Sequence, residues 1–191
     1  MPIVIKGSSS GQVTVDVPAA AGTNTLTLPA NTGNIITNKT AGTIIQVVNV
    51  LSGDVATGTT TFVNGSIPNN SQGTEFMTLA ITPTNASNKL FIQIIAQMAH
   101  TSTTAAMHGG LYQDTTSNAL AAMGSAKNGA ANNESVCVLN HFMTAGTTSA
   151  TTFKFRGGAI NSGTTTFNGR SGAVIFGAAP KSSMTITEIA V

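Results

Sequence analysis

The chain has 191 residues, 41% of them hydrophobic and only 7% charged, with a formal net charge of +2 from eight basic and six acidic residues. Soluble domains usually carry about a quarter charged residues, so a free, strongly hydrated surface is excluded, as are disorder (too much apolar sequence) and nucleic-acid binding (no basic stripe). What remains is an assembly component, a chain covered in use by copies of itself and its neighbours.

The start, Met1-Pro2-Ile3-Val4-Ile5-Lys6-Gly7-Ser8, lacks the long apolar core of a signal peptide. No run approaches the roughly 18 apolar residues of a membrane span. The expectation is a soluble protein made in the cytoplasm, with no membrane partner. Val13, Val15 and Val17 then alternate with Thr14 and Asp16, and Leu26 and Leu28 with Thr25 and Thr27, which is the period of half-buried strands. Residues 1–42 hold three prolines in a Gly/Ser/Thr background. They offer too little apolar surface for a core of their own. They read as an attachment arm or small β module, and residues 43–191 as one compact domain.

In that domain Ile44–Leu51 is a mostly apolar strand, and Phe76–Ile81 is a strand ended by Pro83. Leu90, Ile92, Ile94, Ala96 and Met98 form one wholly apolar face of a strand, with Phe91, Gln93, Ile95 and Gln97 on the other. A face mixing Gln with large apolar groups suits a subunit contact; a second core layer is equally allowed. Helical signal is weak, and Ser117–Ala126 admits a turn or two at most. Met107–Gln113, Val136–Met143, Phe153–Arg156 and Met184–Val191 complete the strands. Phe153 and Phe155 alternate with Lys154 and Arg156, so the rings should face a core and the charges solvent. Turn chemistry at Asn64-Gly65, Asn128-Gly129, Ser162-Gly163 and Asn168-Gly169 separates these runs. Strands without intervening amphipathic helices predict an all-β antiparallel sandwich or barrel, read here as a jelly-roll-like sandwich.

Candidate chemistry is sparse. His100 and His108 could approach if residues 101–107 form a hairpin loop, with Asp114 or Glu134 as a third metal ligand. No H-x-H or H-E-x-x-H spacing is present, so His100, His108 and His141 read as loop or interface histidines. One histidine from each of three chains on a symmetry axis is the lesser alternative. Cys137 is the single cysteine, so no intramolecular disulfide is possible. It lies four residues from His141 on one strand, ~13 Å away, too far for a nucleophilic pair, and reads as a small buried hydrophobe. The carboxylates Asp16, Asp54, Glu75, Asp114, Glu134 and Glu188 are dispersed, without a calcium pattern or evidence of the facing pair a glycosidase requires. The reading is a protein without catalytic residues, metal or cofactor. Arg156-Gly157-Gly158 and Asn168-Gly169-Arg170 read as solvated hairpin turns.

The stretch Gly11–Gly33, a small-residue linker followed by Thr25-Leu26-Thr27-Leu28-Pro29-Ala30-Asn31-Thr32-Gly33 and the short apolar strand Asn34-Ile35-Ile36, resembles a segment found in tailed-bacteriophage structural proteins. Ile44–Val48, Leu79–Leu90 and Met184–Ile189 are similar to pieces of the β-sandwich that follows it in phage fibre and head-decoration proteins. The resemblance implies a jelly-roll-like sandwich preceded by an extended N-terminal β arm. It also implies a non-enzymatic capsid decoration (cement) protein on the outer capsid surface of the virion, made in the host cytoplasm. Its partners would be itself, as a homotrimer, and the major capsid protein of the same phage. The alternative is a tail-fibre head recognising host surface glycan; the absence of a long repetitive shaft favours decoration. Strand addition by the arm and closed symmetry hiding strand edges make Val13, Val15, Val17, Leu26, Leu28, Ile35, Ile36, Phe91, Gln93, Ile95 and Gln97 the expected interface residues.

Overall fold

The computed structural model describes residues 3–6, 10–15, 40–125 and 129–191. The chain divides into two units, residues 1–35 and 36–191. Val17, Leu26, Leu28, Ile35 and Ile36 lie outside the described residues, as does Asn128.

In the first unit β1 (Ile3–Lys6) pairs antiparallel with β2 (Gln12–Val15), Ile3 opposite Val15 and Lys6 opposite Gln12. The strand predicted around Val13 and Val15 therefore finds its partner within the arm, in Ile3–Lys6, a segment too short for periodicity to mark as a strand. Val4 and Ile5 are exposed. An isolated two-stranded hairpin is at best marginal in water.

The second unit is an antiparallel β-sandwich. One sheet holds β3 (Ile44–Ser52), β14 (Ser182–Ile189), β6 (Lys89–His100) and β9 (Glu134–Thr144) in that order. The short strands β4 (Ala56–Gly58) and β11 (Thr165–Phe167) extend it beyond the end of β14, with β11 pairing on β6 from Met98 to His100. The other sheet holds β5 (Thr74–Ile81), β10 (Thr151–Ala159), β7 (Met107–Gln113) and β8 (Ala121–Gly124) in that order. A small ribbon, β12 (Gly169–Arg170) with β13 (Ala173–Val174), projects from the β11 corner. Two four-stranded sheets ordered 3-14-6-9 and 5-10-7-8, with successive major strands crossing between them except at the β7–β8 pair, make the two Greek keys of a jelly roll. No helix among the described residues is long and apolar enough to cross a membrane.

Period-two sequence produces the core directly. Leu90, Ile92, Ile94, Ala96 and Met98 of β6 are all fully buried, facing Phe153, Phe155, Leu111 and Met107 of the opposite sheet within one cluster. Each such side chain contributes about 1.5–3 kcal/mol by leaving water. Cys137 and Leu139 of β9 and Met184 and Ile186 of β14 complete the layer. At one end Glu188 is a fully buried carboxylate. It accepts hydrogen bonds from the Gln46 amide (2.6 Å), the Asn88 amide (2.7 Å), and the Thr84 hydroxyl and backbone N–H (2.9 Å each). Burial pushes its pKa up, but these donors outweigh burial and hold it below the ordinary value of 4.5. Hydrogen bonds here do the work a counter-cation would otherwise do.

Three expectations are corrected. The weak helical stretch Ser117–Ala126 contains the strand β8, because Ala121–Gly124 completes the sheet beside β7 and tertiary pairing overrides helix propensity. The sequence Arg156-Gly157-Gly158 is strand rather than solvated turn: Gly157 lets Met98 and Phe76 approach, and Gly158 lets the Thr60 carbonyl approach. Asn168 is fully buried with a φ of 54°. Its amide donates to the carbonyls of Ser52 (2.9 Å) and Asp54 (3.2 Å), and its Oδ1 accepts from the Ser182 hydroxyl. An Asn side chain tolerates this left-handed kink and satisfies carbonyls that the break between β11 and β14 leaves unpaired.

Candidate interaction surfaces

The histidines do not converge. His100 ends β6 and His108 lies near the start of β7, and these strands belong to different sheets, so residues 101–107 cross the sandwich instead of closing a hairpin. His100 Nδ1 accepts from the Ser102 N–H (3.0 Å), and burial lowers its pKa. His141 faces inward from β9, with its pKa also lowered by burial. His108 packs against the Phe62 ring with centroids 6.1 Å apart. Among the described residues no three His, Cys, Asp or Glu side chains are grouped to hold a metal. Cys137 is buried against Gly109 and Phe155, its thiol pushed up to about 12 by desolvation. At that value almost none of it is the reactive thiolate at neutral pH.

Most of the described carboxylates serve structure. Glu75 meets Arg156 (3.3 Å) and Lys154 (3.9 Å). Asp114 accepts from the Thr151 hydroxyl and the Thr152 N–H. Glu134 lies 3.9 Å from Arg170, and Glu188 closes the end of the sandwich.

The odd face of β6 points outward, and strand registry places it in a broader surface. One row runs Leu51, Ser183, Ile95, Val138 across β3, β14, β6 and β9. The next is Asn49, Thr185, Gln93, Asn140, and the third Val47, Thr187, Phe91, Phe142; Gln97 and Val136 extend the β6–β9 edge. None of these residues is charged. Leu51 (63% exposed), Phe142 (58%), Val47 and Val136 (54% each), Ile95 (49%) and Val138 (45%) stand open. The middle row is amide and hydroxyl. Asn49 donates to the Thr185 hydroxyl at 2.8 Å, and Gln93 to the Asn140 carbonyl oxygen at 3.5 Å. The Phe91 and Phe142 rings meet at a tilt of 54°, their centroids 6.3 Å apart. Charge appears only at the ends of the ladder, as Lys89 and Glu134.

By strand spacing this face, about half apolar and half amide or hydroxyl, covers about 400 Å². Sequence reasoning found Phe91, Gln93, Ile95 and Gln97. It missed Val47, Leu51, Val136, Val138 and Phe142, because only registry shows that these share one face. A second apolar feature also escaped it: the segment Ala173-Val174-Ile175-Phe176-Gly177-Ala178-Ala179-Pro180. Phe176 is 81% exposed at its tip, and Phe176 (φ 47°) and Ala178 (φ 64°) are both left-handed. Non-glycine residues held there are strained by about 1–3 kcal/mol each. A run of consecutive exposed apolar residues was its available sequence signal.

No family model matches the chain, and no curated protein matches it. Among solved structures it is similar to the VP2 subviral particle of infectious bursal disease virus (13% identity, 97% of this chain, 46% of that chain, TM-score 0.37). It is also similar to the Gx strain of the same virus (12% identity, 94% and 47%, TM-score 0.39) and to the EclA C-terminal domain, a sugar-binding protein (12% identity, 82% and 87%, TM-score 0.32). The chain spans about half the length of the viral chains it matches.

Proposed function

We propose that this is a non-enzymatic virion structural protein: a capsid decoration protein that binds the outer surface of a phage head as a homotrimer and stabilises it. The observation that carries the reading is the uncharged outer face of the β3–β14–β6–β9 sheet, with exposed Leu51, Ile95, Val138, Val47 and Phe142 on either side of a row of amides and hydroxyls. A freely diffusing jelly roll would place charge there, whereas a face destined for burial gains from its absence, since unpaired charge in an interface costs several kcal/mol. About 400 Å² is roughly half of what each partner contributes to a standard interface. Further contact is therefore needed, and the exposed 173–180 segment is suited to supply it. The resemblance of Gly11–Gly33 to tailed-phage structural proteins supports the virion assignment. In this reading residues 1–42 form the attachment arm, which grips the major capsid protein by strand addition.

Native mass spectrometry of the purified chain, together with sedimentation on heads lacking it, tests the reading. A trimer that saturates heads is expected, and deletion of residues 1–42 should leave a folded β-rich domain that no longer co-sediments. A monomer at micromolar concentration that leaves heads bare overturns the proposal, and a few copies confined to the tail would favour the fibre reading instead.

A further inference from the structure

Three Asn-Gly pairs stand in the sequence: Asn64-Gly65, Asn128-Gly129 and Asn168-Gly169. Each carries a latent reaction. Asn is a thermolabile residue, and a following glycine has no Cβ to shield its backbone nitrogen, so that nitrogen can attack the side-chain amide. The sequence marks the three pairs alike, and the fold separates the two whose asparagines are described.

Asn168 is held on every side. It is fully buried with a φ of 54°. Its Nδ2 donates to the Ser52 and Asp54 carbonyls and its Oδ1 accepts from the Ser182 hydroxyl. A Cβ on Gly169 would collide with the Ala173 carbonyl, so the backbone there is enclosed as well. Swinging the Asn168 amide onto the Gly169 nitrogen would break all three hydrogen bonds and leave buried groups unpaired.

Asn64 is the opposite case. Residues 59–73, between β4 and β5, fold over the outer face of β10 and β7, and this roof is pinned on both sides of Asn64. Before it, the Phe62 N–H donates to the Ala159 carbonyl (2.9 Å) and the Val63 N–H to Gln72 Oε1 (3.0 Å). After it, the Ala119 N–H donates to the Pro68 carbonyl (2.8 Å) and the Asn70 N–H to the Ser117 carbonyl (2.7 Å). Between these anchors residues 64–67 make no hydrogen bond among the described residues, and all four are exposed. Gly65 has a φ of 94°, and a Cβ there would meet nothing within 4 Å. Water reaches both reacting groups, and no packing opposes the rotation that brings them together.

We propose that Asn64 is a self-modification site, at which the chain loses an amide without an enzyme. The Gly65 nitrogen gives its proton to solvent and bonds to Asn64 Cγ, the Cγ–Nδ2 bond breaks, and Nδ2 leaves as ammonia. The cyclic imide so formed takes up one water. Opening on the side-chain carbonyl gives aspartate, and opening on the backbone carbonyl gives isoaspartate, with no oxidant or reductant involved. Each event adds a carboxylate, lowering the formal charge by one from +2, in a roof that carries no Asp, Glu, Lys or Arg from residue 59 to residue 73. The reaction is independent of where on a particle the protein sits.

The test is peptide mapping by mass spectrometry of the full chain, incubated in mildly alkaline buffer either folded or in denaturant. In denaturant Asn64 and Asn168 should convert at similar rates. In the folded chain Asn64 should convert at least about tenfold faster, because Asn168 must first open locally. Isoaspartate should accumulate at position 64. Asn64→Gln, whose longer side chain disfavours the ring, should keep its amide under the same conditions. The proposal is overturned if Asn64 keeps its amide in the folded chain, or if Asn168 converts as fast as Asn64 while circular dichroism shows the fold intact.

Discussion

The two sheets of the sandwich bury the same kind of residue inward and treat their outer faces in opposite ways. The β5–β10–β7–β8 face carries charge, Lys154 and Arg156 beside Glu75, and is partly roofed by the chain's own residues 59–73. Arg156 holds that roof by donating to the carbonyls of Gln72 (2.9 Å) and Gly73 (2.8 Å). Among the described residues the central rows of the β3–β14–β6–β9 face carry no charge, and their large side chains stand exposed. The chain thus covers the charged outer face with its own loop and leaves exposed the face whose rows carry no charge, and the proposed assembly would cover that second face. On the proposed reading the difference also accounts for the composition: a low-charge sequence remains manageable when one face is self-covered and assembly covers the other.

The comparison breaks most sharply if charge is placed on the bare face. Ile95→Asp with Val138→Asp should abolish self-association, at about 3–5 kcal/mol for each carboxylate buried unpaired, while leaving the circular dichroism of the domain intact. Ala80→Asp on the outer face of β5 should leave the oligomer unchanged. Light scattering reads both, and an oligomer surviving the double substitution would show that the bare face is not the contact.

Glu188 tests whether the bare sheet is held rigid from beneath. Glu188→Ala should destabilise the domain by about 1–3 kcal/mol by orphaning the buried Asn88 amide and removing the acceptor of Gln46 and Thr84. The carboxyl's folded pKa lies below its ordinary value of 4.5. Its contribution is therefore complete above that value and is lost as pH falls through the folded pKa. Denaturant titrations from pH 7 to acid should show this loss in the natural chain and not in Glu188→Gln. A smaller effect belongs to the roof. Arg156→Ala should cost about 1–2 kcal/mol and raise hydrogen exchange across 62–73, with assembly unaffected. Accelerated exchange in β9 instead would mean that the two faces are coupled.

Much of this organisation is legible in the strands. The alternation of Leu90 to Met98 against Phe91 to Gln97 separates core from outer face on its own, because a residue's side of a strand follows from its position alone. Phe153 and Phe155 inward with Lys154 and Arg156 outward follow for the same reason. Asn168-Gly169 misleads, since the same dipeptide serves a hairpin turn and a buried kink, and only the unpaired carbonyls of Ser52 and Asp54 distinguish them. Ala121–Gly124 misleads because four small residues have no strand signal until β7 lies beside them. The meeting of Phe62 with His108 has no sequence signal: the two are far apart along the chain and touch only where a loop crosses a sheet.

The sequence by itself determined the class of fold, most of the strands and the existence of an uncharged face, because composition and period two are local properties that survive any arrangement of the strands. Only the tertiary structure decided which strands are neighbours. Registry between β3, β14, β6 and β9 turned scattered valines, leucines and phenylalanines into one surface, and the path of residues 59–73 laid a loop over the outer face of the other sheet. Both are consequences of long-range backbone pairing, whose partners are set by the joint burial of two sheets and are written in no single segment of the chain.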